Sequence, residues 1–294
     1  MTVPTPHADA LARIPVRESA IEVLGSTTRY WEYGPADATQ TVVLVHGYRG
    51  DHHGLEPVIA ELPGLRLIGA DLPGFGASTP MTAAPHSVDG YASWLGAFLD
   101  ALGMRGSATL LGHSFGSMIT AHAIARGLET PRLILINPIT TDPRKGGGAV
   151  MNALTRAYYG AARRLPEGLG RALLGNWAIV QIMSATLAKT PDRGLRRWIH
   201  EEHHRYFNGF SDPETVAEAF DASLSTDVQQ YAHALTMPVL IIAGADDEIA
   251  PAAGQHELAA KLPDAQLVML PGVGHLVHYE RPREAADAIR RFLG

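Results

Sequence analysis

The sequence predicts an α/β protein: a mostly parallel, doubly wound central sheet carrying an inserted helical segment. Three observations predict it. Short apolar runs without polar alternation recur along the 294 residues, as strands buried on both faces require. Helical patterns lie between several of these runs, and alternation of strand with helix builds a parallel sheet covered on both sides. From about residue 140 to 236 the rhythm stops, and a gap of that length between two buried strands is too long for one loop.

Residues 41–45 (TVVLV) lead into His46-Gly47, and 65–70 (LRLIGA) into Asp71-Leu72-Pro73-Gly74. Residues 108–111 (ATLL) end at Gly112, and 133–136 (LILI) at Asn137-Pro138. Two more follow the gap, 239–243 (VLIIA) and 267–270 (LVML). Helices are expected over 88–102, 115–126, 252–262 and 283–292, the last after Pro282, a favoured first helical residue. The core therefore spans 1–139 and 237–294, and 140–236 is expected to be a helical lid, with Gly146-Gly147-Gly148 as a hinge near its entry. Residues 141–200 carry ten Lys/Arg against three Asp/Glu, whereas 201–227 carry one Arg against seven. A solvated helical surface with internal ion pairs accounts for that better than a basic rim for anionic substrates or lipid headgroups.

Composition bounds the function. Hydrophobic residues make up 46% and charged ones 18%, which excludes a disordered or coiled-coil chain. A chain of this length buries roughly 75% of its unfolded surface. Net charge is −6 with a pI near 6.1, so no basic field favours nucleic acid. Cysteine is absent, which removes disulfides, thiolate metal sites and a cysteine nucleophile. Residues 1–15 lack the basic and apolar regions of a signal peptide, and no run of apolar residues is long enough for a transmembrane helix. A soluble, cytoplasmic protein is expected.

The chemistry centres on Gly112-His113-Ser114-Phe115-Gly116, where a buried strand gives way to a helix. That is the context the G-x-S-x-G elbow needs. The turn is so tight that side chains two positions either side of the serine would collide with their neighbours. Ser114 Oγ is thereby raised above the carboxyl edge of the sheet, where open α/β folds bind ligands. A serine hydroxyl needs a base. His275 is the candidate, in Pro271-Gly272-Val273-Gly274-His275 after the last strand, in preference to His113, whose side chain is expected to point away. The imidazole in turn needs a carboxylate to fix its tautomer, and the loop after VLIIA offers Asp246, Asp247 and Glu248. The oxyanion needs backbone donors, of which one is the Phe115 amide.

These residues resemble the α/β-hydrolase superfamily, in its lid-bearing branch of serine esterases, lactonases and carbon–carbon hydrolases. The family's acid loop, Gly-x-x-Asp-x-x-x-Pro, maps the acid onto Asp247 in Gly244-Ala245-Asp246-Asp247-Glu248-Ile249-Ala250-Pro251. Its His-Gly-x motif, matched by His46-Gly47-Tyr48, maps the second oxyanion donor onto the Tyr48 amide. Asp71-Leu72-Pro73-Gly74-Phe75-Gly76-Ala77-Ser78 matches a scaffold loop. The order Ser114, Asp247, His275 is that of the fold. The resemblance covers 25–140 and 237–294. It implies a cofactor-free, metal-free serine hydrolase acting on a small to medium apolar ester. Apart from the resemblance, Met118, His53, Trp177 and His204 are the residues expected to contribute to a substrate pocket. A serine at 114 speaks against the aspartate-nucleophile branches, and Tyr48-Arg49-Gly50 lacks the extra glycines of many carbon–carbon hydrolases. Rival readings are a carbon–carbon hydrolase, a lactonase, an amidase, or a ligand receptor on the same fold.

Two patterns compete with this reading. His200-Glu201-Glu202-His203-His204 matches the H-E-x-x-H zinc motif in a predicted helix, but no third ligand follows, and surface or lid-facing residues are expected instead. His52-His53, after Asp51, are read as lining the loop beside the oxyanion donors or as sitting in solvent, and not as a metal cluster. No phosphate-binding glycine loop is present, so nucleotide binding has no support.

Overall fold

The computed structural model describes residues 5–141 and 149–294; the glycine run expected as a hinge lies outside them. The strands are β1 (Val16–Val23), β2 (Ser26–Tyr33), β3 (Thr41–Val45), β4 (Arg66–Ala70), β5 (Thr109–His113), β6 (Leu133–Ile136), β7 (Val239–Gly244) and β8 (Ala265–Leu270). They form one sheet in the order β1-β2-β4-β3-β5-β6-β7-β8. From β4 to β8 all pairs are parallel, while β1 and β2 run antiparallel at one edge.

The six parallel strands are those the apolar runs predict; β3 to β7 bury both faces, while β8, at the edge, is mostly half-buried. Val43 and Val45 enter one core with Leu110, Leu133, Leu135, Val239 and Ile241. Their neighbours Val42 and Leu44 enter the other with Leu111, Ile134, Ile136, Leu240 and Ile242. The period of two divides these strands between two cores. Each fully buried Val, Leu or Ile contributes about 1.5–3 kcal/mol.

The α-helices, in chain order, are α1 (Ala8–Leu11), α2 (Glu56–Ala60), α3 (Val88–Ala101), α4 (Phe115–Ala125), α5 (Ala149–Ala162), α6 (Glu167–Leu174), α7 (Trp177–Leu187), α8 (Arg193–Tyr206), α9 (Pro213–Ser223), α10 (Ala252–Lys261), α11 (Val277–Glu280) and α12 (Pro282–Leu293). Helices α3, α4 and α10 cover one face of the sheet, and α2 and α12 the other.

The antiparallel hairpin β1–β2 is an addition to the expected elements. Its sequence, VRESAIEV followed by STTRYWEY, is mostly exposed or half-buried in β1 and largely alternates buried with half-buried positions in β2, so no continuous apolar run marks it. Leu24 and Gly25 close it with φ of 50° and 74°, the left-handed pair a two-residue hairpin turn requires.

Between β6 and β7 the described chain forms the five helices α5–α9 and a 3₁₀ turn over Val228–Ala234. Asn176, Asp192 and Asp212 cap α7, α8 and α9 by accepting from backbone amides of their first turns; such caps are each worth about 1 kcal/mol. The insertion is tied to the core at several points. Gly76 N–H donates to Gly209 O at 2.7 Å, and Ser211 N–H to Gly74 O at 2.9 Å. The Lys189 and Thr190 amides donate to Glu280 Oε1 at 2.7 and 3.1 Å. Among the described residues no helix is long and apolar enough to cross a membrane.

Candidate active site

The carboxyl ends of β3, β5, β6, β7 and β8 converge, and each delivers one element of the site. After β5 the chain turns at Ser114 with φ 51° and ψ −115°, a sparsely populated conformation for a residue with a Cβ, costing about 1–3 kcal/mol. Neighbouring contacts enforce it. A Cβ on Gly112 would lie 2.6 Å from Gly116 O, and one on Gly116 only 2.0 Å from Val45 O. Ser114 N–H donates to Ile136 O at 3.1 Å, which pins the elbow to the neighbouring strand.

His275 arrives from the loop after β8. Its Nε2 lies 2.8 Å from Ser114 Oγ, and its Nδ1 lies 2.7 Å from Asp247 Oδ2. An ionised carboxylate only accepts, so Nδ1 carries the proton and Nε2 is free to accept from the serine hydroxyl. Asp247, buried in the loop after β7, is held further by the Ile249 and Ala250 amides, which donate to Oδ1 at 2.8 and 2.9 Å. Burial alone would push its carboxyl up. The charge and hydrogen bond of His275, with the two amides, outweigh that and hold it below the ordinary carboxylate value.

Asn137 was not among the residues expected from sequence. It sits at the end of β6 with φ 46°, fully buried. Its Nδ2 donates to Asp247 Oδ2 at 2.8 Å and to Gly274 O at 3.2 Å, joining the acid to the loop that carries the imidazole. The only sequence signal was an asparagine-proline pair ending a buried strand.

The amide of Phe115 belongs to the first turn of α4, where N–H groups lack intrahelical acceptors. Tyr48 lies in the turn after β3 that Gly50 N–H closes onto Gly47 O at 3.1 Å. That turn presses against the elbow: a Cβ on Gly47 would lie 3.2 Å from Ser114 Cβ. His46 steadies it, with Nδ1–H donating to Gly47 O and Nε2 accepting from Leu72 N–H, both at 2.8 Å. Burial drives the His46 imidazole toward its neutral form. Asp71 is scaffold. It accepts from the His52 amide and ring at 2.8 Å each and from Ala77 N–H at 2.8 Å.

His113 is buried beneath the site, its ring centroid 4.1 Å from that of His278 and 5.7 Å from that of His275. Burial, with the neighbouring His275 charge, lowers its pKa to about 3, so it remains neutral. Of the residues expected to line a substrate pocket, Met118 is sealed in the core behind α4. His53 stacks on Tyr206 of α8 with centroids 4.1 Å apart, and its Nδ1 lies 3.2 Å from Asp51 Oδ1. Trp177 is 66% exposed and stacks on His204, whose Nε2 meets Gln181 Oε1 at 2.9 Å. The described contacts of that pair belong to the packing of α7 on α8.

The competing patterns resolve in the same way. His200 Nδ1 lies 2.6 Å from Ser184 Oγ, so both histidines of the H-E-x-x-H run fasten α8 to α7. Asp51, His52 and His53 offer ligand-type atoms within 4.8 Å of one another. The two rings also continue a column in which Trp31 stacks on His52 at 3.4 Å and His52 lies 3.8 Å from His53.

A family model described as alpha/beta hydrolase fold matches residues 40–282. A pimeloyl-[acyl-carrier protein] methyl ester esterase of Xanthomonas campestris pv. campestris is 27% identical over 267 residues, covering 89% of this chain and 96% of that protein. Two solved structures superpose with a TM-score of 0.75. A thermophilic esterase from Thermogutta terrifontis does so at 24% identity, over 94% of this chain and 98% of its own. An enol-lactonase from Burkholderia xenovorans does so at 20% identity, over 94% and 99%; at these identities the likeness is one of fold. The parallel sheet, the serine elbow on β5 and the match over most of the sequence agree: this chain belongs to the alpha/beta hydrolase fold family and is a hydrolase.

Proposed function

We propose that the protein is a cofactor-free serine hydrolase of small to medium, largely apolar carboxylic esters, working through Ser114, His275 and Asp247. One observation carries the reading: an unbroken hydrogen-bond chain from Ser114 Oγ through both ring nitrogens of His275 to Asp247, at 2.8 and 2.7 Å. The esterase named among the relatives supports an ester as the substrate.

In this mechanism Ser114 Oγ attacks the ester carbonyl while His275 Nε2 takes its proton. Asp247 keeps the tautomer and balances the imidazolium charge. The Phe115 and Tyr48 amides receive the oxyanion, each donor worth about 2.7–4 kcal/mol of transition-state stabilisation. His275 then protonates the departing alkoxide, and a water activated by the same ring releases the acid from the acyl-enzyme. Residues 140–236 act as a lid, with the Tyr48 phenol, donating to Val216 O at 3.0 Å, as one point of attachment.

The test is a panel of p-nitrophenyl esters, lactones and amides of varied acyl length, assayed with wild type and Ser114→Ala. Turnover of esters with best kcat/KM at short to medium acyl chains is expected. In Ser114→Ala only the ~10³–10⁴-fold residue that oxyanion binding supplies over water should remain. Undiminished turnover in that variant, or preference for amides, would refute the reading.

A further inference from the structure

Arg49 occupies the third position of the turn that carries the Tyr48 amide, with φ 58°. A positive φ there favours glycine or asparagine, so the chain keeps an arginine against local preference. Its side chain is 1% exposed and runs away from the turn into the helical insertion. Every hydrogen bond it makes goes to a neutral oxygen. Nε and Nη2 donate to Phe207 O at 3.1 and 2.8 Å, and Nη2 to Leu174 O at 3.1 Å. Weaker contacts reach Tyr159 Oη and Asn208 Oδ1, both at 3.4 Å. Phe207 follows the last turn of α8, and Leu174 is the last residue of α6. Their carbonyls are the unpaired, partially negative ends of two helices. The rings of Phe207 and Phe210 flank the guanidinium at 5.9 and 5.7 Å.

We propose that Arg49 is a positioning residue for the reaction. By fastening the C-terminal ends of α6 and α8 to the 47–50 turn, it holds the Tyr48 amide in place and makes seating of the insertion a condition for full turnover. This rests on the reading of Ser114 and Tyr48 given above. A planar fork with five donors spans two helix ends and a phenol at once; a lysine ammonium, with three donors on a single nitrogen, lacks that spread. The Tyr48 side chain reinforces the coupling. Its ring packs against Phe75 of the core and against Tyr159 and Phe220 of the insertion, with centroids 6.0, 5.8 and 5.7 Å away. When α6 and α8 lift, the guanidinium loses its acceptors and the turn loses what offsets its strained φ.

The experiment compares Arg49→Met, Arg49→Lys and Arg171→Gln in the full chain. Arg171 pins the insertion internally, donating to Phe210 O at 3.0 Å and to Glu167 at 3.0 Å without touching the oxyanion turn. Three quantities are read: kcat and KM for p-nitrophenyl butyrate, the melting temperature, and the Kd of phenylboronic acid, whose tetrahedral serine adduct places an oxygen at the oxyanion position. In Arg49→Met, kcat should fall about tenfold to hundredfold, with boronate Kd rising by a similar factor and KM little changed. Arg49→Lys should recover part of both, and Arg171→Gln should change neither. If Arg49→Met does not fold, Arg49→Lys is read by the same criteria, with a smaller parallel loss expected. A change confined to KM or melting temperature overturns the proposal, as does an equal loss in Arg171→Gln. Abolished turnover in Ser114→Ala beside unimpaired Arg49→Met overturns the clamp alone, whereas an active Ser114→Ala overturns the site reading beneath it.

Discussion

At the scale of single residues, the proposed acid, Asp247, is hydrogen-bonded to a neighbour outside the proposed triad. Asp247 Oδ2 accepts from both His275 and Asn137, so removing the amide leaves the carboxylate one donor short and frees the loop at Gly274. Asn137→Gly is the cleanest probe, because it deletes the amide while relaxing the left-handed backbone. With the backbone relieved, any loss reports the amide. We expect kcat to fall by about tenfold, the scale of one charge-assisted hydrogen bond, with KM for a p-nitrophenyl ester little changed. Asn137→Asp should be worse, since two adjacent carboxylates disfavour ionisation of both, and its deficit should shrink as pH rises. Equal activity of all three proteins would show that the backbone amides on Oδ1 suffice.

At the scale of elements, strand β5, its elbow and α4 work as one unit, and their fit leaves no spare volume. Gly116→Ala places a methyl group 2.0 Å from the Val45 carbonyl, and a strand backbone cannot rotate away as a side chain can. We expect a loss of about 1–3 kcal/mol from overpacking, read as a lower urea midpoint, together with a collapse of kcat as β3 and the serine move apart. Gly64→Ala, where nothing lies within 4 Å of the new atom, meets only its positive φ and should retain activity. Wild-type kcat in Gly116→Ala would contradict the need for close approach. This unit was legible in sequence because its requirements are local: glycine at both flanks, a buried run before and a helical pattern after. The same holds for the six parallel strands. The β1–β2 hairpin escaped because the charges of its edge strand, Arg17, Glu18 and Glu22, face solvent and imitate a loop. Asn137 and Arg49 escaped for a different reason. Their value lies in partners 110 and more than 120 residues away, and one asparagine or arginine carries no pattern of its own.

At the scale of the whole molecule, the fold encloses imidazoles it does not let ionise, and this sets its response to acid. Burial lowers His113 and His203 to about 3 and His278 well below its ordinary value; His46, His86 and the partly buried His7 move the same way. In the unfolded chain these groups take up protons below about pH 6.5. The unfolded state therefore binds more protons than the native state, and stability rises with pH across that window. Their contribution is complete above pH 6.5 and is lost as pH falls below it, down to about 3 for His113 and His203, each imidazole supplying a slope of about 1.4 kcal/mol per pH unit while it titrates in the unfolded state alone. His53 opposes them: Asp51 outweighs its burial and raises its pKa, so its contribution is present below pH 6.5 and lost above. Asp247 and Asp71, held low in the fold despite burial, add acid sensitivity only below about pH 4. The urea midpoint should thus drop between pH 7 and 5, opposed in part by Glu202 and Glu280, whose carboxyls burial raises so that they take up protons in the fold first. His278 tests the cause, because its ring packs against His113 and Tyr279 and its Nδ1 is buried without a hydrogen bond. In His278→Phe the absolute stability at pH 7 can move either way with packing. The fall from pH 7 to 5 should nonetheless be shallower than in wild type, by up to about 1.4 kcal/mol per pH unit. An unchanged slope would mean that His278 is protonated, or hydrated, in the native protein.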